Sequence, residues 1–336
     1  MMVENRKERH VVIIANYFGR LSNYFQLWLD TCATNGWIDW CFITDASMEK
    51  YDVPKNVKII KSSFTELKAA IQKKFNFPIR YSTPWQFCLY RPVFPLLFSE
   101  LIDEYEYWGW CDCDVLFGDL SILRSRMGRF DKILPMGHLS IVRRDMDFFD
   151  RVMQHPMIVQ AYSESQPALT CFDEIGYPNT VLKDVGATMV DDIPFMQPDV
   201  HWGHYKTCAT HALWRELGVT SRAHTPCVFS WCDGDLVGHF AMQDGCVKRV
   251  KLAYMHFFRR PLSCDTVARL GGGISYMIIP NEIVAYDGHA IQWDEIVKLD
   301  RMRINWKFVR DRMNVKWFCY KTAQVATKAA ARLLKH

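Results

Sequence analysis

Asp112 and Asp114, separated by one residue, follow the apolar run Tyr107-Trp108-Gly109-Trp110-Cys111. A run of that length reads as a buried strand, which places the pair at a strand's carboxyl end, where ligand crevices of open α/β sheets lie. Oxygen ligands at this spacing suit Mg²⁺ or Mn²⁺, and a cation held there clamps a diphosphate. Asp-x-Asp also occurs in ordinary solvated turns. Here Val115-Leu116-Phe117-Gly118-Asp119 follows, so both flanks favour a buried strand end, where idle charges are costly.

Other residues offer chemistry with less context. Asp173 and Glu174 open a helix expected over Asp173 to Lys183, where carboxylates also complement the helix dipole. Trp202 and Trp231 are candidates for stacking on a sugar face, although most aromatics in such a chain belong to the core. His201, His204, Cys208 and His211 have i, i+3, i+7, i+10 spacing and would share one helix face as a zinc site. Pro198 just before them and the lack of a second ligand pair argue for packing or acceptor contacts instead. Gly271-Gly272-Gly273 follows no clear strand and reads as a loop rather than a phosphate cradle.

The elements that must position these groups alternate. Val11 to Ala15 is a buried strand halted at Asn16-Tyr17-Phe18-Gly19, and Ser22 or Asn23 is placed to cap the helix that follows. Asn35-Gly36 closes that helix, and Ile38 to Ile43 is a second strand. Strand, helix, strand in so short a span is a βα unit feeding a parallel sheet. A strand at Lys58 to Lys61, a helix at Thr65 to Lys74 and a helical stretch broken by Pro92 and Pro95 come next. Beyond the Asp pair we expect a strand at Lys132 to Met136, a helix at Asp145 to Gln154, and strands at Val228 to Ala241 and Arg249 to Phe258. The fold class is therefore α/β, one Rossmann-like domain over residues 1–300 with a mostly parallel central sheet, followed by a basic helical appendage over residues 301–336.

Of 336 residues, 49% are hydrophobic and 23% charged, ordinary values that exclude a disordered chain. No apolar run is long enough to span a bilayer. The polar start, Met1 to His10, shows no secretory signal, and twelve irregularly spaced cysteines read as buried thiols in a reducing cytosol. The net charge of +4 hides an asymmetry: residues 301–336 hold ten Lys or Arg against the single acid Asp311, leaving the body acidic. An acidic body argues against nucleic acid as a partner.

The segment Tyr107 to Asp119 resembles the DxD region of nucleotide-sugar glycosyltransferases of the GT-A fold, and bacterial enzymes of capsular and surface-polysaccharide synthesis in particular. The resemblance extends to Val12–Gly19, Cys171–Glu174 and Tyr254–Pro261, in that order. It implies transfer of a sugar from a nucleoside-diphosphate donor, uridine-linked, to a saccharide acceptor. It also implies roles. Asn16 and Tyr17 touch the nucleotide; Asp112 contacts the donor; Asp112, Asp114 and His256 hold Mn²⁺ or Mg²⁺. Arg259 and Arg260 face the diphosphate, Arg91 approaches the donor sugar, and Asp173 and Glu174 form the acceptor-side, catalytic pair. An imidazole with carboxylates suits Mn²⁺, and guanidinium forks suit phosphate oxygens. Leu89 stands where the resemblance would put an acidic residue.

Two other classes compete. A haloacid-dehalogenase-type phosphohydrolase also uses Asp-x-Asp after a strand, and Asp191-Asp192 mimics its later acidic pair, but that fold carries the motif on its first strand. A noncatalytic carbohydrate-binding protein would not need the Asp112, Asp114 and His256 set.

The tail has its own logic. At helical spacing Phe318, Thr322, Val325, Ala329 and Leu333 form an apolar stripe beside Lys321, Lys328, Arg332 and Lys335. That pattern fits an interfacial helix on anionic lipid, with each cation worth about 1 kcal/mol near the surface. It would hold the protein peripherally on the cytoplasmic face, beside a lipid-linked acceptor. The alternative is docking onto the acidic body. Liposome flotation at low and high salt separates the two: the full chain should float with anionic vesicles at low salt, and a chain ending at Asn314 should not. Equal flotation of both would remove this role.

Overall fold

The computed structural model describes residues 10–134, 137–169, 171–201, 204–209, 211–219, 225–257, 262–264 and 275–301. The basic tail from residue 302 onward, Trp202, Arg259, Arg260 and Gly271 to Gly273 lie outside the described residues.

Val11–Tyr17 (β1) is the first buried run, and Ile38–Thr44 (β2), Val57–Lys61 (β3) and Tyr107–Cys111 (β4) join it in parallel. Phe25–Thr34 (α1) and Phe64–Gln72 (α2) are the neighbouring helices. Val115–Phe117 (β5) leaves the sheet after the Asp pair, and Lys132–Ile133 (β6), Leu139–Arg143 (β7) and Met189–Val190 (β8) extend it. The order is β3-β2-β1-β4-β7-β6-β8, with β7 antiparallel to both neighbours and every other pair parallel. The fold is thus mixed α/β with a large, mostly parallel sheet.

This sheet is buried on both faces, which explains its continuous apolar strands. Side chains alternate across it. Val11, Ile13, Tyr107 and Cys111 pack with Trp28 and Phe42 on one face, while Val12, Ile14, Trp108 and Trp110 pack with Tyr90 and Tyr162 on the other. Gly109 is required where β4 crosses β7, because a Cβ there would strike the Ser140 carbonyl.

Met196–His201 (β9) and His204–Ala209 (β10) form a hairpin, and Cys227–Cys232 (β11), Asp235–Ala241 (β12) and Val247–Lys251 (β13) a meander. Tyr254–His256 (β14) precedes a last hairpin of Tyr276–Ile279 (β15) and Glu282–Ala285 (β16). These strands build a four-stranded sheet, β10-β9-β14-β5, and a five-stranded one, β13-β12-β11-β15-β16. Among the described residues, no helix is long and apolar enough to cross a membrane.

Several expectations need correction. Val228 to Ala241 is not one strand but β11 and β12, because Asp233 and Gly234 both take positive φ (49° and 93°) and make a tight hairpin turn. Arg249 to Phe258 breaks at Leu252-Ala253, whose N–H groups bond Leu236 and Pro194 carbonyls, so its two halves enter different sheets. Neither Ser22 nor Asn23 caps α1 with its side chain; Tyr24 occupies that position, and Asn23 Nδ2 donates to Leu262 O.

Asn35, 1% exposed at the end of α1, joins that helix to the segment leaving β5. Its Nδ2 donates to Thr31 O and Gly118 O, each 2.9 Å, and its Oδ1 accepts from Leu120 N at 2.9 Å. Truncation leaves buried backbone groups without partners. Asn35→Ala should lower stability by about 2–4 kcal/mol, and Asn35→Asp, which keeps the acceptor but loses the donor, by a comparable amount. Urea unfolding measures both.

Candidate metal centre

β4 ends at Cys111, and its parallel register with β1 sets Cys111 beside Ala15, so Asn16 and Tyr17 flank the Asp pair. Cys113 Sγ reaches Asn16 O at 3.6 Å and ties the two strand ends together. β2 and β3 lie on one side of β1 and β4 on the other, so the pair stands at the reversal of strand order, where a crevice opens.

His256 arrives through a ladder. β14 runs antiparallel to β5 with His256 opposite Val115, and Phe257 N donates to Asp114 O at 2.8 Å. His256 Nε2 then lies 3.4 Å from Asp114 Oδ1 and 3.6 Å from Asp112 Oδ2. One ligand atom from each of the three residues falls within 4.8 Å of the others, and among the described residues no other group of His, Cys, Asp and Glu is so arranged. Two carboxylates and an imidazole fit a Mn²⁺ or Mg²⁺ site by their donor chemistry. Burial alone would push the His256 pKa down, but Asp114, by charge and hydrogen bond, and Asp112 raise it above the ordinary value. The pocket favours positive charge.

Arg91 lies on the 3₁₀ segment Pro84–Val93, opened by Thr83 in a capping box with Gln86. It is 5% exposed. Nη2 pairs with Asp112 Oδ1, while Nη1 donates to Gly137 O at 2.7 Å and pairs with Asp173 Oδ2 at 3.2 Å. Burial would favour its neutral form, yet Asp112 and Asp173 keep it firmly protonated. All the contacts described for its guanidinium are thus to protein groups, Asp112, Asp173 and the Gly137 carbonyl.

Asp173 and Glu174 do open a helix, but it is a π-helix, Phe172–Val181, entered through Cys171 in the left-handed region (φ 55°) and containing Pro178. π-Helices are rare, and this one runs for ten residues, more than a single turn. Asp173 is 2% exposed, whereas Glu174 is half-buried. Burial pushes the Asp173 carboxyl up to about 7 against the pull of Arg91, with Glu174 and Asp112 adding to the rise. Burial, then Asp112, raises Glu174 also.

Residues 137 and 138 carried no sequence signal, yet both touch the site. His138, 1% exposed, stacks on His256 (ring centroids 4.0 Å apart, planes 21° apart) and accepts Asp112 N at its carbonyl, 2.8 Å. A Gly-His pair before an apolar strand has no periodicity to mark it. Trp231 is a core residue instead of a sugar platform: it is buried, stacks on Tyr276 and donates from Nε1 to Phe117 O. The His201, His204, Cys208, His211 series does not share a helix face, because the first three lie on the strands β9 and β10 and only His211 begins a helix, His211–Leu217.

The raised Asp173 pKa has a definite sign. A carboxyl favoured in its neutral form supports the folded state at low pH, and that support is lost as pH rises from about 4 to about 7. Relative to wild type, Asp173→Asn should therefore be more stable at about pH 8 than at about pH 5, by urea unfolding. A difference independent of pH between about 5 and 8 would mean that Arg91 holds Asp173 ionised throughout.

The sequence profile of a family of unknown function, DUF6625, matches residues 13–287. No curated protein matches the chain. Among solved structures, one similar chain is a glycosyltransferase involved in glycosylation of the major capsid of PBCV-1, at 8% identity and a TM-score of 0.31, covering 56% of this chain and 84% of that one.

Proposed function

We propose that this chain, which belongs to the DUF6625 family, is a divalent-metal-dependent glycosyltransferase that moves a sugar from a nucleoside-diphosphate donor, uridine-linked, to a saccharide acceptor. The observation that carries the reading is the Asp112, Asp114, His256 cluster at the crevice where strand order reverses. A haloacid-dehalogenase-type phosphohydrolase would place its Asp pair after the first strand, whereas here it follows β4.

Asp112, Asp114 and His256 would hold Mn²⁺ or Mg²⁺, which would supply Lewis-acid stabilisation of the departing diphosphate. The protein's own groups do the rest. Asn16 and Tyr17 form the nucleotide side of the crevice, and Arg259 and Arg260 are assigned to the diphosphate, where guanidinium forks match phosphate oxygens. Arg91 fixes Asp112 and Asp173 in one rigid unit. Glu174, the more exposed acid, faces the acceptor: as a base it takes the proton of the attacking hydroxyl while the bond from the anomeric carbon to the diphosphate breaks. Asp173 stands behind it as a positioning residue. Inverted product, by NMR, makes Glu174 that base; retained configuration makes it an acceptor-orienting group. Residues 1–300 would form the transfer domain and residues 301–336 a membrane-surface anchor near a lipid-linked acceptor in surface-polysaccharide synthesis.

A panel of uridine-diphosphate sugars and simple phosphate esters, with and without Mn²⁺, tests the class. Sugar release or transfer should require metal, with Mn²⁺ at least as effective as Mg²⁺, and phosphate esters should be inert. Asp114→Ala should lower turnover by about 100-fold or more while the circular dichroism spectrum is unchanged. Full activity in excess chelator would overturn the metal assignment.

A further inference from the structure

We propose that Gly137 and His138 are positioning residues that hold the metal half of the site and the acid half in one geometry. The inference rests on the metal-dependent transfer reading for its kinetic and Mn²⁺-binding arms, and on the close approach of Gly137 to Glu174 for its stability arm. These two consecutive residues, just ahead of β7, meet Arg91, the acid pair, His256 and the backbone of Asp112. The Gly137 carbonyl accepts Arg91 Nη1 at 2.7 Å. A Cβ at residue 137 would run into Glu174 Cγ and stand 2.9 Å from Glu174 Oε1 and 3.0 Å from Asp173 Oδ2. The backbone has therefore closed on the acid pair as far as a glycine allows. Any side chain must push Glu174 away.

His138 serves the other half. Its carbonyl accepts Asp112 N, its ring stacks on His256, and its Nδ1 lies 3.4 Å from Tyr254 Oη on the strand that carries His256. A flat ring at stacking distance limits the tilt of His256, as outer-shell groups do for metal-bound histidines. The loop is itself braced. Lys132 Nζ donates to Ser140 Oγ at 2.8 Å, and Ser140 Oγ donates to Leu134 O at 2.6 Å, closing the base of the segment that bears both residues.

The two halves separate by experiment. Mn²⁺ binding to wild type, His138→Leu, His138→Phe and Gly137→Ala is read from the electron paramagnetic resonance signal of free Mn²⁺. His138→Leu should weaken binding by about 10- to 100-fold, while His138→Phe, which keeps a flat ring, and Gly137→Ala should stay within about 3-fold of wild type. Gly137→Ala should lower kcat by about 100-fold with little change in donor KM. A double-mutant cycle reads the same contact without activity: the stability lost in Gly137→Ala should be largely recovered in the Glu174→Ala background. Equal Mn²⁺ affinity of His138→Leu and wild type, or a Phe variant as weak as Leu, overturns the role of His138. Wild-type kcat in Gly137→Ala, or no coupling to Glu174, overturns that of Gly137. Normal Mn²⁺ binding by wild type without any sugar transfer would sink the proposed function but leave the binding and coupling measurements to decide this inference.

Discussion

A single buried guanidinium holds this centre together. Asp112 and Asp173 come from distant segments, Asp112 partly buried and Asp173 almost wholly so, and ionising the buried one is expensive. Arg91 lies between them with one nitrogen on each carboxylate and a third contact to the Gly137 carbonyl. Removing one partner from such a buried arrangement costs about 3–5 kcal/mol, because the remaining charges lose their compensation. The guanidinium is thus less a substrate hook than a fixed counter-charge. It keeps Asp173 near Asp112 despite their mutual repulsion.

That constraint explains features of the scaffold. The 3₁₀ segment bearing Arg91 packs against the π-helix bearing Asp173 and Glu174, and aromatic rings fill the space behind: Tyr90 stacks on Tyr162 at 4.7 Å, and Tyr162 meets Phe172. Neither segment is a regular α-helix, and each contains a proline, Pro92 and Pro178. Their rigidity comes from packing instead of from backbone periodicity. On the same face of the sheet, Lys132 is fully buried with its ammonium 4.2 Å from the Trp110 ring centroid, and burial depresses its pKa strongly. Next to the site the Arg91 guanidinium stabilises the carboxylates, while the Gly137 carbonyl and the face of the Trp110 ring stabilise the buried cations without water.

Part of this was legible in the linear chain. β1, β2 and β4 lie where largely apolar runs of strand length end at polar residues, because such runs can be buried only inside a sheet covered on both faces. The Asp pair announced itself for the same reason: two charges just beyond a wholly apolar strand must have a partner or a purpose. Shorter or irregular elements were harder to read. The β11–β12 turn was hidden inside one apolar stretch, although Asp233-Gly234 is a turn dipeptide. The π-helix gave no distinct periodicity, since its first residues also fit an ordinary helix start.

By itself, then, the sequence determined the strand-helix alternation, the carboxylate pair and its place at a strand end, all of which follow from local apolar patterning. Only the tertiary structure decided what stands beside that pair. The β5–β14 ladder, in which one residue of slip would turn His256 to the other face, brings the imidazole to Asp114. Packing of two irregular segments brings Arg91 to both Asp112 and Asp173. Close approach of a glycine backbone sets Glu174 beside Gly137. Each of these contacts joins residues far apart in the chain through register, shape and buried charge, and none of those quantities is a property of a sequence window.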